Sequence, residues 1–194
     1  MQEEPDPTRL DVERLPPEAI ELTRDLYSHG FYLETYVGTR TFVGGVGDLS
    51  KTGAFTHIGL GYELTSWLLL GLAAEGSIHA TNAPSPPSPT VFEIIDFLAE
   101  VRLQINASAR AALWLGGEFG VAFATGNVLR TYGLQDAQNV GIVYGGQAGF
   151  DWHLRNRHHS FGLVGGARVF PNLRGIDGSV AIGVHAGLYL RYVF

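Results

Sequence analysis

Two groups of side chains in this sequence could do chemistry. His158, His159 and Ser160 set two imidazoles beside a hydroxyl, the material for a base-activated serine nucleophile, and with His153 they could gather around a metal ion. The second group is a series of charges spaced through apolar sequence: Glu75, Glu100, Glu118, Arg102, Arg168, Arg40 and His185, with Glu34, Glu63, Asp151 and Arg191. Ionised groups in such surroundings must find opposite charges or hydrogen bonds once buried, or else neutralise. No matched carboxylate cluster stands at metal-ligand spacing from His153, His158 and His159, so solvated turn histidines are the ordinary reading and no metal or cofactor is expected. Gly44-Gly45-Val46-Gly47 lacks a following Lys-Ser or Lys-Thr and is not a phosphate cradle. With no cysteine there is no thiolate nucleophile, thiolate zinc site or disulfide framework. A net charge of -6 without a basic patch excludes nucleic acid as a partner.

The elements that must position these charges are strands. In 194 residues with 26 glycines, 11% aromatics, one lysine and one methionine, the composition fits many short strands in a single compact domain. The period is clearest in Ile94 to Asn106, where Ile95, Phe97, Ala99, Val101, Leu103 and Ile105 alternate with Asp96, Leu98, Glu100, Arg102 and Gln104. The last stretch repeats it, with Val180, Ile182, Val184, Ala186, Leu188, Leu190, Tyr192 and Phe194 on one side. The same parity gives eight strands, near 31–43, 54–65, 68–81, 92–105, 111–124, 140–154, 160–170 and 180–194. The turns at 65–67, 106–109 and 155–158 are tight, whereas 44–53, 82–91, 125–139 and 171–179 are longer and rich in Gly, Pro, Ser and Asn. Short and long connections therefore fall on opposite rims, as in an up-and-down meander.

Residues 1–29 are different in kind, with eight acids against three arginines, a net of -5 out of -6. Four prolines mark an extended leader, and Pro17, Glu18 and Glu21 suit the start of a short helix that ends before Gly30. The division is thus 1–30, an acidic leader with a short helix, and 31–194, a barrel. The leader either covers one end of the barrel or docks on a partner. No signal peptide precedes it; an exported protein would be in mature form with an added Met.

Charge placement decides which face of the sheet points outward. Glu34, Glu63, Glu75, Asp96, Glu100, Glu118 and Asp151 share the mixed face with Arg40, Arg102, Arg168 and Arg191, and the apolar face carries no charge in mid-strand. A soluble lipocalin-like carrier would need a densely charged exterior, yet the mixed face is thinly charged and padded with glycine, as where side chains converge inside a small barrel. The apolar face therefore meets lipid, and a closed barrel is the β-architecture that leaves no backbone group unpaired there. The expected fold is an all-β, eight-stranded antiparallel up-and-down transmembrane barrel.

Residues 31–194 resemble the small outer-membrane β-barrels of the OmpA/OmpX/OmpW kind. The most specific feature is the C-terminal Leu188-Tyr189-Leu190-Arg191-Tyr192-Val193-Phe194, in which Leu188, Leu190, Tyr192 and Phe194 look like the signal read by the outer-membrane assembly machinery. The resemblance implies location in the outer membrane of a Gram-negative bacterium, amid its lipid and lipopolysaccharide, with termini and short turns periplasmic. Phe31, Tyr62, Trp67, Trp152, Phe161, Tyr192 and Phe194 would then form the inner aromatic girdle, with Phe123 and Tyr144 in the outer one. No OmpA-like peptidoglycan-binding domain follows the barrel. The glycine-rich barrel with its acidic leader also resembles barrels of myxobacterial gliding-motility complexes, a likeness that no specific motif carries.

Barrel enzymes offer one further comparison. Lipid A deacylases of the PagL type use a His-x-Ser pair, which His158 and Ser160 match in spacing, but the topology puts these on the periplasmic rim, and Phe161-Gly162-Leu163 lacks that family's asparagine. Acyltransfer of the PagP type needs catalytic groups from outer loops that here contain no histidine. Eight strands leave an interior filled by its own side chains, which excludes a diffusion porin. The expectation is a monomeric, non-enzymatic structural or docking component of the envelope, its leader (1–30) available to a periplasmic partner. Inside it, Glu75, Glu100 and Glu118 form an ion-pair ladder with Arg102 and Arg168, at a level shared by Arg40 and His185. The alternatives are a PagL-like enzyme, a narrow ion channel using those same charges, or a soluble carrier.

Overall fold

A computed structural model describes residues 30–82, 90–108, 110–126, 128–154 and 159–194. The leader with its expected helix, the turn residues 155–158 and part of the 82–91 loop lie outside the described residues. Eight strands follow one another around the wall: β1 (Phe31–Val43), β2 (Gly53–Glu63), β3 (Leu68–Ala80), β4 (Val91–Asn106), β5 (Ala111–Thr125), β6 (Gly141–His153), β7 (His159–Phe170) and β8 (Ala181–Val193). Each pairs antiparallel with the next, and β8 pairs back onto β1, closing the barrel without an edge. All eight match the periodicity to within two residues at each end, because burial alternates along every strand.

The tight turns have local causes. Thr65 Oγ1 accepts hydrogen bonds from the backbone N–H groups of Trp67 (3.3 Å) and Leu68 (3.0 Å), and Ser108 Oγ accepts one from Arg110 (3.2 Å). Such hydroxyl-to-backbone bonds favour turns over continued strand.

Outside, the barrel is apolar. Leu60, Leu72, Leu115 and Leu188 are each more than 60% exposed, and the expected lower girdle residues, from Phe31 and Tyr62 to Tyr192 and Phe194, all point outward on the short-turn rim. Phe31 packs edge-on against Tyr62, and Tyr192 against Phe194, with ring centroids 5.0 Å apart in both pairs. Leu188, Leu190, Tyr192 and Phe194 form one exposed row of β8 and its end. Inside, large side chains are accommodated by glycine: a Cβ on Gly149 would lie 2.3 Å from the Trp114 ring. Three glycine pairs, Gly116-Gly117, Gly145-Gly146 and Gly165-Gly166, lie on β5, β6 and β7, with Gly117 opposite Gly146 and Gly165 opposite Ala148.

The lipid-facing assignment is testable at Leu72, near the middle of β3. Leu72→Arg should cost about 2–4 kcal/mol if it sits near the bilayer midplane. Urea titration of the barrel folded into phospholipid vesicles measures this, and an unchanged stability would refute the outward orientation.

Candidate functional site

The lumen contains two linked charge clusters beneath an apolar lid. Nearer the short-turn rim, Glu34 is the acceptor hub. Arg102 Nη1 and Nη2 donate to its two oxygens at 2.9 and 2.7 Å, the Tyr36 hydroxyl donates at 2.7 Å and Arg191 Nε at 3.1 Å. Arg191 also reaches Asp151 (3.1 Å), which accepts a bond from Trp114 Nε1 (2.6 Å). The Arg102 guanidinium lies 4.0 Å above the Trp114 ring, so its face is covered as well as its edge.

The second cluster stands at mid-height, and strand register explains it. His57 is placed opposite Glu75, Glu75 opposite Asp96, and Glu100 opposite Glu118. Arg40 bridges one of these carboxylate pairs, donating to Glu75 at 2.5 Å and to Asp96 at 2.6 Å. Arg168 reaches across the lumen to both oxygens of Glu75 and both of Glu118, with Nη2 at 2.8 Å and 2.7 Å from their Oε1 atoms. His57 Nδ1 lies 2.7 Å from Glu75, and its ring stacks on Tyr36 at 3.9 Å. Fork geometry makes arginine suited to this bidentate bridging, which lysine could not reproduce.

Above these clusters the long loops fold inward. Phe42, Phe92 and Phe170 pack with Val46, Leu129 and Leu173 in one buried apolar cluster. The loops contribute short helical turns at Gly45–Leu49, Val128–Thr131 and Gln135–Gln138, which the alternation pattern did not indicate. Backbone bonds tie loop to loop, Val46 N–H to Leu173 O (3.2 Å) and Asn82 N–H to Leu49 O (2.8 Å). Ser179 Oγ accepts from the Gly45 N–H (2.9 Å) and donates to Asp177 (2.6 Å). That hydroxyl, with the Ser179 N–H, holds the Asp177 carboxyl below the usual carboxylate range.

Of the residues singled out by sequence, Glu75, Glu118, Arg40 and Arg168 meet directly. Arg102 turns instead to Glu34 and touches Glu100 only at 3.4 Å. His185 does not join the ion pairs: both ring nitrogens are buried without a hydrogen-bond partner, and the ring lies against Phe55 at 5.1 Å. The register sets His57, not His185, opposite Glu75. His57, Tyr36, Trp114 and Gln147 were not anticipated as members; parity turns them inward, but their partners depend on register. Ser160 is buried at the start of β7 on the short-turn rim, and His158 lies outside the described residues, so no pairing of the two is described. His159 points outward and packs edge-on against Tyr192.

Comparison with solved structures decides the fold. Neisserial surface protein A gives a TM-score of 0.61 at 14% identity, covering 85% of this chain and 97% of that one. OprG, an outer membrane protein of Pseudomonas aeruginosa, gives 0.52 at 9% identity, covering 86% and 97%. The fold is that of the eight-stranded outer-membrane barrels. An apolar belt around a closed barrel of this fold is the exterior of an integral outer-membrane protein. No protein-family model matches the chain, and no curated protein sequence matches it.

Two measurements probe the lumen and its lid. Arg168→Met leaves Glu75 and Glu118 facing each other without their shared cation, and should destabilise the barrel by about 3–5 kcal/mol. Adding Glu118→Gln should recover part of that loss, as read from the urea midpoint in micelles; equal midpoints for all three proteins would show that the bridge contributes nothing. Ser179→Ala should raise the Asp177 carboxyl toward the ordinary carboxylate range in a carbon-13 NMR titration, with the Ser179 N–H still holding part of the depression. Because the folded value is depressed, the contribution of this contact is present above the ordinary aspartate range and is lost as pH falls through the lowered value.

Proposed function

We propose that the protein is a non-enzymatic, monomeric outer-membrane barrel that acts as a structural and docking component of the envelope. The observation that carries this reading is the filled interior. Bridged charges occupy the middle of the lumen and an apolar lid closes the long-loop end, so that end offers neither an open conduit nor an open catalytic cleft among the described residues. What remains for recognition is the outer loop platform and the leader, residues 1–30.

The platform is held in shape by the loop-to-loop bonds and presents Val140 and Ile176 to solvent, Ile176 at 81% exposure. Its charges are balanced, Lys51, Arg130 and Arg174 against Asp48, Asp136 and Asp177, which suits a protein surface of mixed character over a strongly charged partner. The outward row ending in Tyr192 and Phe194 serves the assembly machinery during insertion, and lipid with lipopolysaccharide surrounds the finished wall. A partner in the periplasm meets the acidic leader, whether in a motility-type assembly or another envelope complex.

Two experiments address this reading together. Purified barrel in planar bilayers should give no conductance steps; reproducible single-channel openings would assign the lumen to ion passage instead. Photo-cross-linking in intact envelopes, from position 176 and from positions within 1–30, should yield discrete adducts. Barrels that pass ions, or that cross-link to lipid alone from both sites, contradict a docking role.

A further inference from the structure

The two ends of the barrel differ in what covers them. At the long-loop end Val46, Leu129 and Leu173 close over Phe42, Phe92 and Phe170. At the opposite mouth only tight turns border the lumen among the described residues, and in one of them Leu64 and Trp67 point outward. The last layer of inward side chains at that mouth would then face water. It does not. Leu69 is 1% exposed, Ser160 4%, Glu63 and Val193 8% each, and Ala112 is wholly buried. All are end residues: Glu63 closes β2 and pairs with Leu69, Val193 closes β8, and Ser160 and Ala112 each stand second in their strands.

The same layer has an apolar patch and unmet polar atoms. Tyr32, Leu69 and Val193 form one buried cluster. Gln104 Oε1 and Arg191 Nη2 are buried without a hydrogen-bond partner, an acceptor and a donor that would ordinarily be satisfied.

The chain enters the barrel at this mouth. Gly30 lies on the short-turn rim, where its carbonyl accepts a bond from the Glu63 N–H (3.0 Å). The leader therefore arrives beside the layer that needs a cover. A helix begun at Pro17 would carry Ala19, Ile20, Thr23, Leu26 and Tyr27 along one side and Glu18, Glu21, Arg24 and Asp25 along the other. Its size suits a cover and not a filling. Eight strands about 4.8 Å apart and tilted by about 40° enclose a ring roughly 16 Å across, which a helix over 17–29, about 20 Å long, would span from edge to edge.

We propose that residues 17–29 lie as a helix across the short-turn mouth, with Ile20, Leu26 and Tyr27 packed on Tyr32, Leu69 and Val193, and close it. Both ends of the lumen are then sealed by the chain itself. Residues 1–16, with five of the leader's eight acids, stay outside and remain available to a periplasmic partner. The closure holds with or without that partner.

The chain has no cysteine, so single thiols report on the mouth without background. Ser160→Cys places one in the covered layer, and Ser108→Cys places one on an exposed turn of the same rim. In the full chain folded in micelles, a charged maleimide should label Ser160→Cys at least about tenfold more slowly than Ser108→Cys. Adding Ile20→Asp and Leu26→Asp should restore most of the lost rate. These two positions lie outside the strands, and the heat-dependent gel shift of the barrel checks that it stays folded. Equal rates for the two thiols overturn the proposal. So does protection that survives both aspartates, which assigns the cover to the wall's own side chains, and protection that disappears on dilution, which assigns it to a second copy.

Discussion

Every mid-strand charge in the wall of this barrel is driven to one side by the same requirement: the other side is solvated by hydrocarbon. A carboxylate or guanidinium on the outer face would have to be desolvated without a partner, whereas a lumen lined by eight converging strands can bring opposite charges into contact. The four buried arginines are therefore structural elements as much as charges. Each is long enough to reach carboxylates on other strands, and Arg168 alone joins β7 to β3 and β5. The closed hydrogen-bonded sheet supplies the circumference, and the arginines supply the diameters.

Register carries this arrangement. Because side chains alternate with a period of two, slipping one strand by a residue would put its charges into lipid, and slipping it by two would separate the partners. His57, Glu75 and Asp96 occupy successive strands at paired positions, and the Arg40 guanidinium closes that row from β1. A network of this kind penalises misregistered barrels more than it stabilises the correct one, since buried ion pairs gain little net energy over apolar packing.

The architecture was legible in the sequence because it is written in parity: Ile95 to Ile105 and Ile182 to Phe194 expose one face, and no mid-strand charge violates it. Turn lengths added the rims, so the strand boundaries followed closely. The membership of the lumen was also legible, since Glu75, Glu118 and Arg168 share a face. Pairing was not. Whether Arg102 meets Glu34 or Glu118, and whether His57 or His185 faces Glu75, depends on the stagger between strands, which alternation does not encode. The lid was invisible for a related reason: Val46, Leu129 and Leu173 sit in loops with no period, and only their joint burial reveals that they belong to one cluster.

The paired glycines of β5, β6 and β7 make the wall uneven in stiffness. Elsewhere a strand is braced by side chains on both faces; at Gly116-Gly117, Gly145-Gly146 and Gly165-Gly166 it is reduced locally to bare peptide, with acyl chains on one side and lumen groups on the other. Glycine itself places little restraint on the backbone torsions there. A wall of bare peptide bends more easily than one braced on both faces, which makes this arc the place where the cylinder can adapt its cross-section to the surrounding lipid.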